Sequence, residues 1–304
     1  VSKEFVANQY DHEVQASSII KPLQGRGKIF GNSTAIKPLF DDNKIISLSQ
    51  SAFPQYSETD PYKMAACSIN TAVKNLVIMG ANLKKIAILD NFCWCSSDEE
   101  GRLYELRKAA EACYDYAVHY STPFISGKDS MYNDFKGFNQ NNNPIKISVP
   151  PTLLISSIGI VDKINHLTKI TPEKNDVIYV LGQTHNELNK SQYENFFSVK
   201  KTNIPNVNAT KSLDLYKRFE KANKMKLFTS ALGVDLGGIG ITLIKMSIGS
   251  NLGLNINIPK KNNLDINQFL FSESQSRIVV SIKKNKKITF KKIFKNKQFT
   301  KIGT

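Results

Sequence analysis

A short apolar run, Pro123-Phe124-Ile125, leads straight into Ser126-Gly127-Lys128-Asp129-Ser130, and no other stretch constrains the chain so tightly. The run is too brief for a helix. With a Pro at its head and a Gly at its foot, it reads as a buried strand ending in a tight turn. Beyond the Gly, a cation, a carboxylate and a hydroxyl follow one another. Gly127 would let backbone approach a ligand closely and Lys128 offers a point charge, so the segment suits a phosphate or a metal–phosphate group. The same residues also describe a polar surface turn, and the surrounding chain has to decide between the two.

That surrounding chain alternates strands and helices. Asp60-Pro61 opens a helix as cap and first-turn residue, and Gly80 closes it. Its apolar face is Ala65, Ile69, Ala72, Leu76 and Met79, with Thr71 and Asn75 on another face. A strand over Lys85–Leu89 ends at Asp90-Asn91, where α/β proteins often place a functional acid. Ser97 to Glu100 reads as a capping box for a helix faced by Leu103, Leu106, Ala110, Cys113 and Ala117. Thr152–Val161 is a long buried strand. Gly25–Gly31 is Gly-rich but lacks P-loop spacing. Composition shifts over Lys169–Asn175, dividing the chain into domains 1–170 and 171–304. In the second, Asp176–Gly182 is a new strand-to-Gly unit and Leu213–Lys224 a helix. Gly237-Gly238 opens a further helix, Ile239–Ile248, and a glycine pair there suits either a bound anion or close packing.

The 304 residues can build a sizeable core, and their formal charge of +15 raises the question of nucleic acid. Lys is thickest in the tail, but Lys, Asn and Ile abound everywhere. No aromatics interleave regularly with the basic runs, which argues against nucleic-acid binding. No apolar run reaches membrane-spanning length, and the N-terminus lacks a signal-peptide pattern. The four cysteines show no zinc or redox spacing, which fits a reducing, cytoplasmic setting. The missing initiator Met suggests a processed product or a fragment of something longer.

Six stretches gain meaning in combination: Tyr10-Asp-His-Glu-Val-Gln15, Asp60-Pro-Tyr62, Leu89-Asp-Asn-Phe-Cys-Trp94, Ser126-Gly-Lys-Asp-Ser130, Pro150-Pro-Thr-Leu-Leu154 and Phe271-Ser-Glu-Ser-Gln-Ser-Arg277. In this order they resemble the second half of phosphoribosylformylglycinamidine synthase, in the aminoimidazole ribonucleotide synthetase-like superfamily. The resemblance implies an α+β fold that is half of a duplicated synthetase. Its first domain would be a mainly antiparallel, barrel-forming sheet with helices, and its second an α/β domain cut short at the C-terminus.

The resemblance also implies an ATP-dependent carbon–nitrogen ligase of purine biosynthesis, with ATP and Mg²⁺ as cofactors. ATP phosphorylates the formamide oxygen of formylglycinamide ribonucleotide. Ammonia from a separate glutaminase part then displaces the phosphate. By position, Asp90, Gly127 and Lys128 would contact ATP and Ser130 the substrate, with Asp129 and Asn75 as metal candidates. The family's catalytic histidines belong to the N-terminal half of the synthetase. The lone chain is therefore expected to be inactive, and to bind that half or to pair with a second copy. Asn32, Thr71 and the turn Leu232–Gly238 depart from the acidic pattern that holds an auxiliary nucleotide in the family, which removes hard oxygen ligands. The rival expectation is a non-catalytic scaffold half that binds a partner chain.

Overall fold

The computed structural model describes residues 4–9, 12–199, 202–258, 263–294 and 299–304, so Tyr10 and Asp11 of the first motif lie outside the described residues. The chain begins with α1 (Glu4–Ala7), β1 (Ser18–Ile20), β2 (Leu23–Gln24), β3 (Ile29–Phe30), β4 (Thr34–Ile36) and β5 (Ile45–Ser51). Next come α2 (Pro61–Met79), β6 (Ile86–Cys93), α3 (Glu100–Tyr120) and β7 (Phe124–Ser130). The hairpin of β8 (Asp134–Phe138) and β9 (Pro144–Ser148) leads to β10 (Thr152–Val161). The remainder holds β11 (Val177–Leu181), α4 (Ala209–Lys224), β12 (Ser230–Gly233), α5 (Gly238–Ser250), α6 (Ile266–Phe271), β13 (Ile278–Ile282), α7 (Lys287–Ile293) and β14 (Phe299–Gly303).

Two main sheets result. The first runs β1-β4-β5-β10-β6-β7 and is antiparallel except for the parallel pair β6–β7. The second runs β12-β13-β11-β14 and is antiparallel throughout. This is the expected α+β class. In β10 every second residue is buried, the pattern of a strand with one face on a core and one face open. Its inward Ser157 donates to the Ala72 carbonyl of α2 at 3.2 Å, which puts that helix under the sheet. The central strands of the second sheet, β11 and β13, are buried on both faces. Val177, Tyr179 and Leu181 share a core with α2 and α4, while Ile178 and Val180 pack with Ile239, Leu243 and Met246 of α5.

Helix α2 starts and stops where the sequence predicts. The Asp60 carboxylate accepts from the Lys63 N–H at 3.0 Å, and Gly80 closes the helix at φ 109°. Its interior differs from the expectation of one apolar face: it is buried on all sides, including Ser68, Asn70, Thr71, Lys74 and Asn75. Buried polar groups need partners, and here the second sheet's loops supply them. Lys74 Nζ donates to the Val234 carbonyl at 2.8 Å and to Asp235 Oδ1 at 2.5 Å. Asn70 Nδ2 and Thr71 Oγ1 both donate to Gln275 Oε1, at 3.0 and 2.9 Å.

Other local expectations also change. Glu99 caps α3 without any side-chain cap bond, so no capping box forms, and Glu99 instead pairs with Lys146. The inward face of α3 is Ala109, Ala112, Tyr116 and Tyr120, while Leu103 is exposed. The Gly25–Gly31 loop docks on the C-terminal end of α5, where the Arg26 N–H donates to the Gly249 carbonyl at 2.8 Å. A helix C-terminus is the wrong end to attract an anion.

Removing the Lys74 charge should expose how much this tie contributes. Lys74→Met leaves Asp235 and a carbonyl without their buried cation, and should cost about 3 kcal/mol in denaturant unfolding. Adding Asp235→Leu should restore part of that loss, as expected for two partners in direct contact.

Candidate functional site

The candidate site is the parallel pair β6–β7 at the edge of the first sheet. Asp90 lies opposite Gly127, Asn91 opposite Lys128, Phe92 opposite Asp129 and Cys93 opposite Ser130. The Gly-Lys-Asp-Ser segment is therefore strand, not the tight turn expected from its composition. Among the described residues, 126–130 have no outer neighbour strand, so polar side chains can stand in solvent there without breaking a core.

Alternation along a strand splits the segment between two faces. Asp90 and Phe92 share a face with Gly127 and Asp129. Opposite Ile155 and Leu153 of β10, this is the face that packs on the helices. Asn91, Lys128 and Ser130 lie on the open face. Gly127 is required on its side for reasons of space, not backbone freedom. A Cβ there would sit 2.7 and 2.9 Å from the two Asp90 carboxylate oxygens. Partial burial raises the Asp90 carboxyl above its ordinary value, and the Asp129 charge adds to the rise. The structure thus places two carboxylates on one face of neighbouring strands, Asp90 on β6 and Asp129 diagonally from it on the edge strand β7. On the neighbouring helix, burial pushes the Cys113 thiol up to about 12, and Asp90 adds to that shift.

On the open face, Lys128 is exposed. Ser130 Oγ donates to Asn133 Oδ1 at 3.3 Å. Asn133 Nδ2 in turn donates to the Ser130 carbonyl at 2.7 Å and the Trp94 carbonyl at 3.1 Å, tying the ends of β6 and β7 together. Asn133 lies three residues past the Gly-Lys-Asp-Ser segment, and its bracing role is visible only once β6 lies alongside.

Asn75 is not on this edge. Its Oδ1 is buried without a partner, and it borders Gly233 beside the Lys74 side chain. An ammonium group in that pocket does not fit a metal ion. Burial lowers the Lys74 pKa, while Asp235 works to raise it. The other Asp235 oxygen accepts from Asn32 Nδ2. Among the described residues no group of three or more His, Cys, Asp and Glu side chains could hold a metal. Two carboxylates that share a cation with substrate phosphates remain a usual way to bind Mg²⁺, and Asp90 with Asp129 fits that pattern.

The motif Phe271–Arg277 carries structure that its sequence does not announce. Arg277 is fully buried and donates to the Ser274 carbonyl at 2.9 Å and to Thr184 Oγ1 at 3.0 Å. Glu273 accepts from Tyr56 Oη at 2.7 Å and from the Gly237 N–H at 2.8 Å. The anion at the Gly237-Gly238 helix start is thus the protein's own carboxylate. Close packing holds there as well, since a Cβ on Gly238 would meet the Leu270 carbonyl oxygen at 2.5 Å.

Residues 32–154 match the family described as AIR synthase related protein, N-terminal domain. That match covers less than half of the chain and assigns residues 32–154 to this domain. It is 29% identical over 306 residues to phosphoribosylformylglycinamidine synthase subunit PurL of Thermococcus sibiricus, covering 100% of this chain and 40% of that relative. It is 26% identical over 291 residues to the same subunit of Methanocaldococcus jannaschii, covering 94% of this chain and 38% of that one. The structure of T. maritima PurL complexed with FGAR superposes with a TM-score of 0.67 at 18% identity, over 93% of this chain and 45% of the other. The chain is thus similar to PurL and spans less than half the length of these relatives.

The pairing of the two carboxylates has a direct test. A carboxyl whose folded pKa is raised binds protons more tightly when folded. Its contribution to stability is therefore full below the unfolded value and declines as pH rises through the folded one. Asp129→Asn should move the Asp90 titration down toward the ordinary carboxylate range, read by carboxyl NMR, and should make stability at neutral pH slightly higher. An unchanged Asp90 titration would mean that the two groups do not interact.

Proposed function

We propose that this chain is the second half of a phosphoribosylformylglycinamidine synthase, acting in purine biosynthesis in the cytoplasm. The observation that carries the reading is the β6–β7 edge, where Asp90 sits over Gly127 beside Asp129 while Lys128 and Ser130 face the open side of the sheet. Residues 1–170 form the domain that carries this edge, and 171–304 the domain that braces it. The open sheet face receives the N-terminal half, which brings the catalytic histidines, and a glutaminase part delivers ammonia.

In the assembled enzyme ATP lies along this edge. Gly127, lacking a side chain, lets the phosphates approach the backbone beside Asp90. Lys128 neutralises phosphate charge, and Ser130 exchanges its bond to Asn133 for one to formylglycinamide ribonucleotide. Mg²⁺, when bound, would be held by Asp90 and Asp129 and supplies further charge neutralisation. The formamide oxygen takes the terminal phosphoryl group of ATP and ADP leaves. Ammonia then adds at the activated carbon, and phosphate departs as the amidine forms. Such chemistry depends mainly on positioning and electrostatics, which an edge of charged and hydroxyl side chains can supply.

A second reading, a non-catalytic scaffold half, is favoured by one observation. Asp235, the one acid in the Leu232–Gly238 turn, has both oxygens occupied by Lys74 and Asn32. Kinetics of variants in the enzyme reassembled with its N-terminal half separate the two readings. Lys128→Met should lower kcat roughly 10²–10³-fold, as for loss of one transition-state donor. Ser130→Ala should act more on the KM for substrate, because its bond forms before chemistry. Normal kcat in a folded Lys128→Met enzyme would favour the scaffold.

A further inference from the structure

We propose that a cavity at the start of α4, away from the β6–β7 edge, binds the phosphate group of a small phosphorylated molecule. The cavity measures about 250 Å³ and is walled by the loop after β11, the first turns of α4 and the loop before β13. No Asp or Glu lines it, whereas Lys211 and His185 do.

The residue that points to a ligand is Gln275, which is only 7% exposed and lines this cavity. Its amide orientation is fixed by a chain of hydrogen bonds. Tyr120 and Tyr216 donate their hydroxyls to Asn70 Oδ1 at 2.9 and 2.7 Å, so the Asn70 amide nitrogen must point the other way. That nitrogen donates to Gln275 Oε1 at 3.0 Å, and Thr71 adds a second donor at 2.9 Å. With its oxygen saturated, Gln275 turns Nε2 toward the cavity, where it has no acceptor among the described residues. This donor is held in place by an almost buried side chain yet stays open to the cavity, so an acceptor placed there would find it already oriented.

Two further features favour an oxyanion over a neutral acceptor. The sixteen-residue helix α4 presents its N-terminal end here, since its cap Asn208 and first-turn Lys211 both line the cavity. Asn208 Oδ1 satisfies only the Lys211 N–H, at 3.0 Å, which leaves first-turn N–H groups without an intrahelical acceptor. The Lys211 ammonium adds mobile positive charge at the rim. The volume exceeds that of one phosphate, so part of the attached molecule can enter as well.

The site does not depend on the synthetase reading and can be tested on the chain alone. Calorimetric titration with ribose 5-phosphate and with inorganic phosphate, and acetate as control, should show saturable binding of the phosphates and not of acetate. Ribose 5-phosphate binding tighter than inorganic phosphate identifies a phosphate ester as the occupant; the reverse identifies the free ion. The Gln275 side-chain amide resonances should shift during the titration. Gln275→Glu keeps an acceptor for Asn70 and Thr71 but removes the donor, and should weaken binding about tenfold or more, the usual effect of a hydrogen bond to a charged group. Lys211→Glu, on the exposed rim, should weaken it too and serves if the first variant fails to fold. Absence of phosphate binding at millimolar concentration, equal binding of acetate, or binding indifferent to these variants would overturn the proposal.

Discussion

The fold depends on one constraint: α2 is buried on every side, yet its sequence is not apolar on every side. Asn70, Thr71 and Lys74 each have to find a partner, and each finds it in a loop of the second sheet. These bonds do what an apolar contact could not, because they fix direction as well as distance. The turn at Val234-Asp235 and the loop at Gln275 are both pinned to α2. Glu273 extends the tie to Tyr56 and to the start of α5. The helix therefore sets how the six-stranded and four-stranded sheets meet.

The site is a consequence of the same arrangement. With α2 and α3 covering one face of the first sheet, the other face stays open and keeps apolar residues such as Leu48 in solvent, 42% exposed. An apolar sheet face of this kind favours association with another surface. The edge pair β6–β7 then joins two environments. Asp90 and Asp129 face the helical side, and Lys128 and Ser130 the open one. A short run of polar residues thus presents carboxylates on one side of the sheet and a cation and a hydroxyl on the other.

The elements legible in the sequence were those specified by local chemistry. Asp60, Pro61 and Gly80 mark both ends of α2 because capping and left-handed closure need only neighbouring residues. The strand β10 was legible from its length and its Leu, Ile and Val content. The Gly-Lys-Asp-Ser segment was placed correctly in the chain but misread as a turn, because its composition is turn-like and only the pairing with β6 makes it strand. The face of α3 was misread for a similar reason: Tyr116 and Tyr120 are drawn inward by α2 and α4, and Leu103 is left out. Lys74 was invisible as a structural cation, since a lysine on a helix ordinarily reads as solvated and its partner lies 161 residues away. Gln275 stands within the Phe271–Arg277 motif, but the orientation of its amide depends on two tyrosines from other helices.

The central claim is that this chain supplies one side of a catalytic site whose other side comes from a separate half. Complementation measures it most directly: ATP- and ammonia-dependent amidine formation by this chain, by the N-terminal half of the synthetase, and by the two combined. The account predicts no turnover from either alone and turnover from the stoichiometric complex, near an ordinary enzyme rate of about 10 per second. Turnover by this chain alone at such a rate, or a stable complex of the two halves that makes no amidine, would contradict it.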